Sequence, residues 1–540
     1  MGKVQKMFRN KSVDVHQFAM IPKADIPRST FKIETTHKTT FDSGYLVPIY
    51  VDEILPGDTF KVNMTAFARL STPIFPVMDN LHMSSFFFFV PNRLVWENWV
   101  RFMGEQSNPT DSINYAIPTL TCPASGYAVN SIYDYLGLPT VGQVTAAATF
   151  SHNVLPLRAI NLIYNEWFRD ENLQNALVVR KTDAGDHPAD FALFRRGKRK
   201  DYFTGALPWP QKGNTAVSLP LGTTAPVVTT NAAPTFNAGG FTNTTLNANA
   251  GQIGAQWGLG IPGTTTAMAF GATTGLYADL STATAATINQ LRQAFQIQRL
   301  LERDARGGTR YTEIIRSHFG VISPDARLQR PEYLGGGENA ITYSPIAQTS
   351  ATGVTGGSTP IGNISAMATA VSNRHGFTQS FTEHGYVIGF VSVRADINYQ
   401  QGLRKMWSRS TRYDFYFPAF AMLGEQAILN KEIYLTGTAT DNQVFGYQER
   451  WAEYRYHPSM ITGLFKSTSS GTIDNWHLAQ RFTSLPTLNT TFIQETPPLQ
   501  RTLAVGAAAQ GKELIFDSFI EKVVSRPLPM YSVPGMMDHF

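Results

Sequence analysis

The 540-residue chain contains a single cysteine, Cys122. It cannot close an internal disulfide, and cysteine-rich zinc sites and iron–sulfur clusters are excluded. Such cysteine usage suits a reducing compartment. Charge is scarce too. Asp, Glu, Lys and Arg make up 16 % of the residues, against about 25 % in ordinary globular domains. Hydrophobic residues still reach 43 % and aromatics 12 %, which excludes a disordered chain and supplies a large core. The net charge of +5 is mild for this length; a dedicated nucleic-acid-binding domain carries a denser basic footprint. No apolar run approaches the roughly 18 residues of a membrane span, so no membrane insertion is expected. The longest, Phe86 to Val90, is closed by Pro91. Met1 to Lys6 is basic, but no apolar stretch follows, and no signal peptide is expected.

Catalytic signatures are also missing. No serine sits in G-x-S-x-G, no H-E-x-x-H occurs, and no Gly-Lys pair is followed by Ser or Thr. Gly258 to Gly263 matches G-x-G-x-x-G literally, but it contains Pro262 and lacks the flanking strand and helix that a dinucleotide needs. His375 and His384 flank Glu383 without a zinc spacing. The expectation is no cofactor, no metal and no enzyme. A further absence is local: residues 213–278 contain no Asp, Glu, Lys or Arg. This Thr/Ala/Gly/Asn-rich stretch is too long for an ordinary loop. It is either a disordered linker or a folded surface excursion, and Val217, Leu219, Val227 and Val228 favour the second.

What is present reads mainly as strands. From Thr59 to Leu70 apolar and polar residues alternate, the pattern of a strand with one buried face. Pro56-Gly57-Asp58 is a turn, and the Val/Ile/Tyr-rich run from Tyr45 to Leu55 before it suggests a hairpin. Phe86–Val90 and Tyr386–Val393 are apolar on both faces, as strands buried between two layers would be. Leu514 to Val524 reads as a late strand. Helices are few: Arg158 to Asp170, a segment from Ile288 ended by Gly307-Gly308, and Thr309 to Phe319.

Two clusters carry candidate binding chemistry. Arg195, Arg196, Lys198, Arg199 and Lys200 form the densest basic run, with Lys3, Lys6, Arg9 and Lys11 a sparser N-terminal set. Phosphate contact and carboxylate-paired structural arginines are equally compatible with the run. The segment from Gln400 to Phe420 combines Arg404, Trp407, Arg409, Arg412 and Tyr413, and Trp451 and Tyr454 extend the theme. Arg and aromatic enrichment marks subunit interfaces, and equally a nucleic-acid platform.

Longer strings point further. Asp201–Gly213, Ser323–Gly336, His384–Phe390, Tyr399–Phe417 and Phe445–Tyr454 occur in order along nearly the whole chain. In these strings the sequence resembles the major capsid proteins of gokushovirus-type microviruses. The resemblance implies a mainly β fold: an eight-stranded antiparallel viral jelly roll with long loop insertions and a few helices. It divides the chain into a first jelly-roll part with an N-terminal arm (1–203), a surface insertion (204–287) and a second jelly-roll part with helical loops (288–540). It implies sixty copies in a T = 1 icosahedral shell, with pentamer and three-fold contacts, around a circular single-stranded DNA genome. It also implies a small basic DNA-packaging protein, an internal scaffolding protein, a host surface receptor, and assembly of the virion in the bacterial cytoplasm. The insertion would form protrusions at the three-fold axes, making Phe236, Phe241, Trp257 and Phe270 candidates for host contact. The two basic sets become candidates for the DNA-facing side, and the Arg/aromatic segment for subunit contact. The rival readings are a β-rich glycan-active hydrolase, which would need two carboxylates about 5–10 Å apart, and a carbohydrate-binding module.

Overall fold

The alternation in Thr59–Leu70 becomes one strand of an eight-stranded antiparallel framework in the computed structural model. The structure describes residues 27–213, 227–229, 235–238, 241–245, 269–270, 276–278, 288–308, 310–320, 329–349, 362–504 and 511–531. The framework strands are β1 (Ser29–Phe41), β2 (Val47–Ile54), β3 (Thr59–Leu70), β4 (Leu81–Pro91), β5 (Glu332–Ala347), β6 (Ile364–Ser380), β7 (Gly385–Ala395) and β8 (Leu514–Arg526). Their lateral order is β1-β8-β3-β6-β5-β4-β7-β2.

That order is a jelly roll: β1-β8-β3-β6 form one sheet, and β5-β4-β7-β2 the other. The sheets join because β5 changes partner along its length. Glu332–Ile341 pairs with β4, and Thr342–Ala347 pairs with β6. Irregular registers at Tyr333/Gly335 and Ser372/His375 accompany the change, as bulges do where a strand bends between sheets. Glycine is required there by contact. A Cβ on Gly376 would lie 1.9 Å from the Val62 carbonyl oxygen, and one on Gly336 would lie 2.0 Å from that of Ser85.

The expected hairpin between Tyr45–Leu55 and Thr59–Leu70 does not form. Instead β2 pairs with β7, while β3 lies between β8 and β6. The turn itself is present, but it carries the chain from one sheet to the other. Asp58 within it is buried and takes the Arg526 guanidinium at 2.6 Å and the Leu55 N–H at 3.0 Å. A sheet change buries the apolar faces of β2 and β3 against each other's sheets, which a hairpin would leave side by side.

Three apolar clusters follow. The inner faces of the two sheets pack Phe60, Val62, Met64 and Leu70 against Phe87, Phe89, Val387 and Val391. On the opposite face of the second sheet, Phe88, Val90, Ile388 and Phe390 meet Trp96, Leu120, Leu157 and Ile160 from the β4–β5 connection. The strands read as buried on both faces are therefore covered on both faces. Helix Leu155–Ile163 lies in this outer layer and continues as a widened turn, Tyr164–Phe168. The third cluster, around Phe203, Ile428, Ile433, Phe445 and Phe492, sits beneath the β7–β8 connection and its hairpin of Glu425–Leu429 with Val444–Glu449.

The chain divides into two compact units: residues 1–210 with 310–540, and Gln211–Thr309. In the second, Val227–Thr229 pairs with Leu276–Ala278, and Thr235–Ala238 pairs with both Ala269–Phe270 and Phe241–Thr245. The charge-free stretch thus contains paired strands, and helix Ile288–Gly307 follows it. Among the described residues no helix is long and apolar enough to cross a membrane.

Candidate interaction surfaces

The basic run is threaded through the first unit by its backbone. Arg196 N–H donates to the Gly44 carbonyl at 2.7 Å, Lys198 N–H to Ile493 at 2.8 Å, and Glu495 N–H to Arg196 at 2.8 Å. Its side chains are then claimed one by one. Arg195 lies 4.1 Å from the Tyr45 ring and donates to the Glu495 carbonyl. Arg196 lies over Phe86 and donates to Ser84 Oγ at 3.1 Å. Lys198, 8 % exposed, donates to Gln480 Oε1 at 2.8 Å, and burial lowers its ammonium pKa to about 8. Beside it, Glu495 is fully buried, and desolvation raises its carboxyl to about 7. The charges of Lys198, Arg394 and Arg196 offset part of that shift. Arg199 bridges Glu338 and Asp396, and Lys200 pairs with Asp170. These last two are the run's largely solvent-facing cations. Lys3, Lys6, Arg9 and Lys11 lie outside the described residues.

The Arg/aromatic candidates divide between two places. Arg404, Trp407, Arg409 and Tyr454 line a cleft of about 630 Å³. Trp407 is 70 % exposed. Arg409 pairs with Glu453 at 3.2 Å and lies 4.5 Å from the Tyr454 ring. The second place is an exposed apolar patch. Tyr413, Phe415, Tyr416, Met422 and Leu423 are all exposed there, Met422 at 96 %. Arg412 sits over Phe417, and Tyr413 packs edge-on to Phe420. Trp451 belongs to neither surface: it is buried, donating its indole N–H to the Phe420 carbonyl at 3.0 Å.

The cleft also contains two carboxylates, Glu432 and Glu453. Glu432 accepts from Tyr202 Oη at 3.0 Å and Leu429 N–H at 3.0 Å, with Lys405 Nζ at 3.5 Å. Glu453 accepts from Arg409 and Gln426. Both are committed to structural partners, which is not how a glycosidase acid–base pair is poised. Among the described residues no cluster of metal-ligating side chains occurs.

In the second unit, backbone register sets Phe236 across from Phe270, and Phe241 across from Ala238. Trp257 lies outside the described residues. Phe295, Ile297 and Leu300 are exposed on the following helix.

Comparison with known proteins decides between a capsid protein and an enzyme. Residues 19–536 match the family described as "Capsid protein (F protein)". The chain is 49 % identical over 538 residues to capsid protein VP1 of Bdellovibrio phage phiMH2K, covering 97 % of this chain and 98 % of the relative. It is 42 % identical over 599 residues to capsid protein VP1 of Chlamydia phage 1, covering 97 % and 98 %. It is 35 % identical over 562 residues to capsid protein VP1 of Spiroplasma virus 4, covering 99 % and 100 %.

The chain belongs to this capsid protein family. Its role is structural, as a major capsid protein of the virion, not enzymatic. The two sheets form the scaffold, and the long β4–β5 and β7–β8 connections run outside them. Sequence reading missed the cleft as an object, because its lining runs from Tyr202 to Lys466. It also missed the Glu495 cluster, since nothing local distinguishes a buried glutamate from a surface one.

Proposed function

We propose that sixty copies of this chain form a T = 1 icosahedral shell around a circular single-stranded DNA genome. The observation that carries this reading is the near-complete match to three viral capsid proteins, each covered over 98 % or more of its own length. Subunit contact falls to the patch of Tyr413, Phe415, Tyr416, Met422 and Leu423 with Arg412. An exposed apolar surface of this kind is stabilised only by a partner. The unit Gln211–Thr309 forms outward protrusions. Its neutral Thr/Asn-rich strands suit a solvated spike, and Phe236, Phe241, Trp257 and Phe270 are its host-contact candidates. Phe295, Ile297 and Leu300 would be covered by neighbouring copies at a three-fold axis.

On the inner side, Arg199, Lys200 and the N-terminal Lys3, Lys6, Arg9 and Lys11 are the candidate phosphate contacts; Arg195, Arg196 and Lys198 brace them. Charge then sets a requirement. Sixty copies at +5 contribute +300, whereas the 540 codons of this chain alone bring 1,620 phosphates. A small basic packaging protein and counterions would supply the difference. An internal scaffolding protein during assembly in the bacterial cytoplasm, and a receptor on the host surface, complete the proposed partners. Compositional analysis of purified virions tests the reading. The expected contents are nuclease-sensitive, exonuclease-resistant single-stranded DNA together with a basic polypeptide or excess polyamine. Duplex DNA or RNA, or virions without added cations, would contradict it.

A further inference from the structure

The cleft in the β7–β8 connection has a composition that suits subunit contact and nucleic acid alike, and its charge balance separates the two. Five cations line it, Arg404, Lys405, Arg409, Arg455 and Lys466, against two carboxylates. Lys405 is neutralised by Glu432 and Arg409 by Glu453, while Arg455 pairs with Glu449 outside the cleft. Arg404 and Lys466 have no carboxylate partner among the described residues. The cleft therefore holds uncompensated positive charge, which favours an anionic occupant.

Its apolar surface mixes aromatic rings with Leu403, Met406, Met460 and Ile461. Trp407 and Tyr454 are exposed. Tyr456 also lines the cleft, backed by the buried Tyr202, on which it stacks at 5.3 Å with the planes 7° apart. Flat rings beside unpaired cations are the combination that holds single-stranded nucleic acid: bases stack on the rings, and phosphates sit on the cations. The volume, about 630 Å³, falls in the range of roughly 300–1,000 Å³ typical of small-molecule sites. A glycan fits less well, because both carboxylates that could accept from sugar hydroxyls already have partners.

We infer that this cleft is a nucleotide-binding pocket, which captures a base and its phosphate from the packaged single strand. The inference rests on the shell enclosing single-stranded DNA. It divides the Arg/aromatic segment in two: Tyr413 to Leu423 contacts protein, whereas Arg404, Trp407, Tyr454 and Lys466 contact DNA. Recognition is independent of sequence, since every base has a face to stack.

The test uses the full-length chain before assembly and two labelled probes, a twelve-residue oligodeoxythymidylate and an abasic strand of equal length. Fluorescence anisotropy gives the affinities across a salt series. Wild type is expected to bind the thymidine strand about tenfold more tightly than the abasic one. Trp407→Ala should bring that ratio toward one while leaving the salt slope intact, and Trp407→Tyr should restore most of it. Arg404→Ala with Lys466→Ala should weaken both probes and reduce the salt slope by roughly one to two. Equal wild-type affinity for the two probes, or an unchanged ratio in Trp407→Ala, would overturn the inference. So would loss of shell formation in Trp407→Ala with the ratio preserved, which would make the cleft a subunit contact. Sedimentation of the same variants after assembly with scaffolding protein separates the two readings: shells without a base preference sink the pocket alone, and a base preference without shells sinks the proposed closed shell.

Discussion

Glu495 is fully buried between Arg196, Lys198 and Ala395, and its ionisation links the basic run to pH. Its ordinary value of 4.5 is raised to about 7 by burial. Below about pH 4.5 the carboxyl is protonated in folded and unfolded chains alike. Between 4.5 and 7 the unfolded chain ionises first, so stability is lost as pH rises through that window. The loss is roughly 3 kcal/mol, from about 1.4 kcal/mol per pKa unit. Glu495→Gln should match wild type near pH 4.5 and exceed it by about that amount at pH 7.5, measured by chemical unfolding of the unassembled chain. A constant difference across the range would contradict the assignment. The basic run also shows the limit of reading residues in order. Arg195 to Lys200 is conspicuous in sequence, yet its partners Ser84, Glu338, Asp396 and Gln480 come from far away in the chain. Whether a lysine faces phosphate or a buried amide is decided by those partners.

At the scale of elements, the strands were legible where burial imposes a local period. The alternation of β3 and the two-sided apolar runs of β4 and β7 follow from one or two covered faces. Partner choice was not legible: β3 joins β8 and β6, which lie hundreds of residues away, so the adjacent turn misled. The layer over β4 and β7 is held by a buried ion pair that no local pattern announces. Arg158 in helix Leu155–Ile163 pairs with Asp186 at 2.6 Å, both side chains essentially inaccessible, and donates to the carbonyls of Val95, Thr182 and Ala184. Arg158→Met leaves the Asp186 carboxylate buried beside Arg180 alone, at 3.8 Å. The expected cost is about 3–5 kcal/mol, read as a lower denaturant midpoint for the fluorescence of Trp96 and Trp99 in that layer. A change within about 0.5 kcal/mol would mean that the pair is not structural.

For the whole molecule, the low charge content acquires a location. The charge-free run lies in the unit Gln211–Thr309, and exposed aromatics cluster at Tyr413 to Leu423. Both suit a subunit that spends its life among copies of itself. Deleting residues 223–274 should leave shells that assemble but adsorb poorly to host cells. Loss of assembly with a folded subunit would make the insertion structural instead. The central claim is self-assembly into a closed shell, and its most direct measurement is the mass and symmetry of particles formed by the purified full-length chain, with scaffolding protein supplied, by electron microscopy and sedimentation. The account predicts uniform closed particles of sixty subunits with three-fold protrusions; monodisperse monomers, or open sheets and filaments, would contradict it.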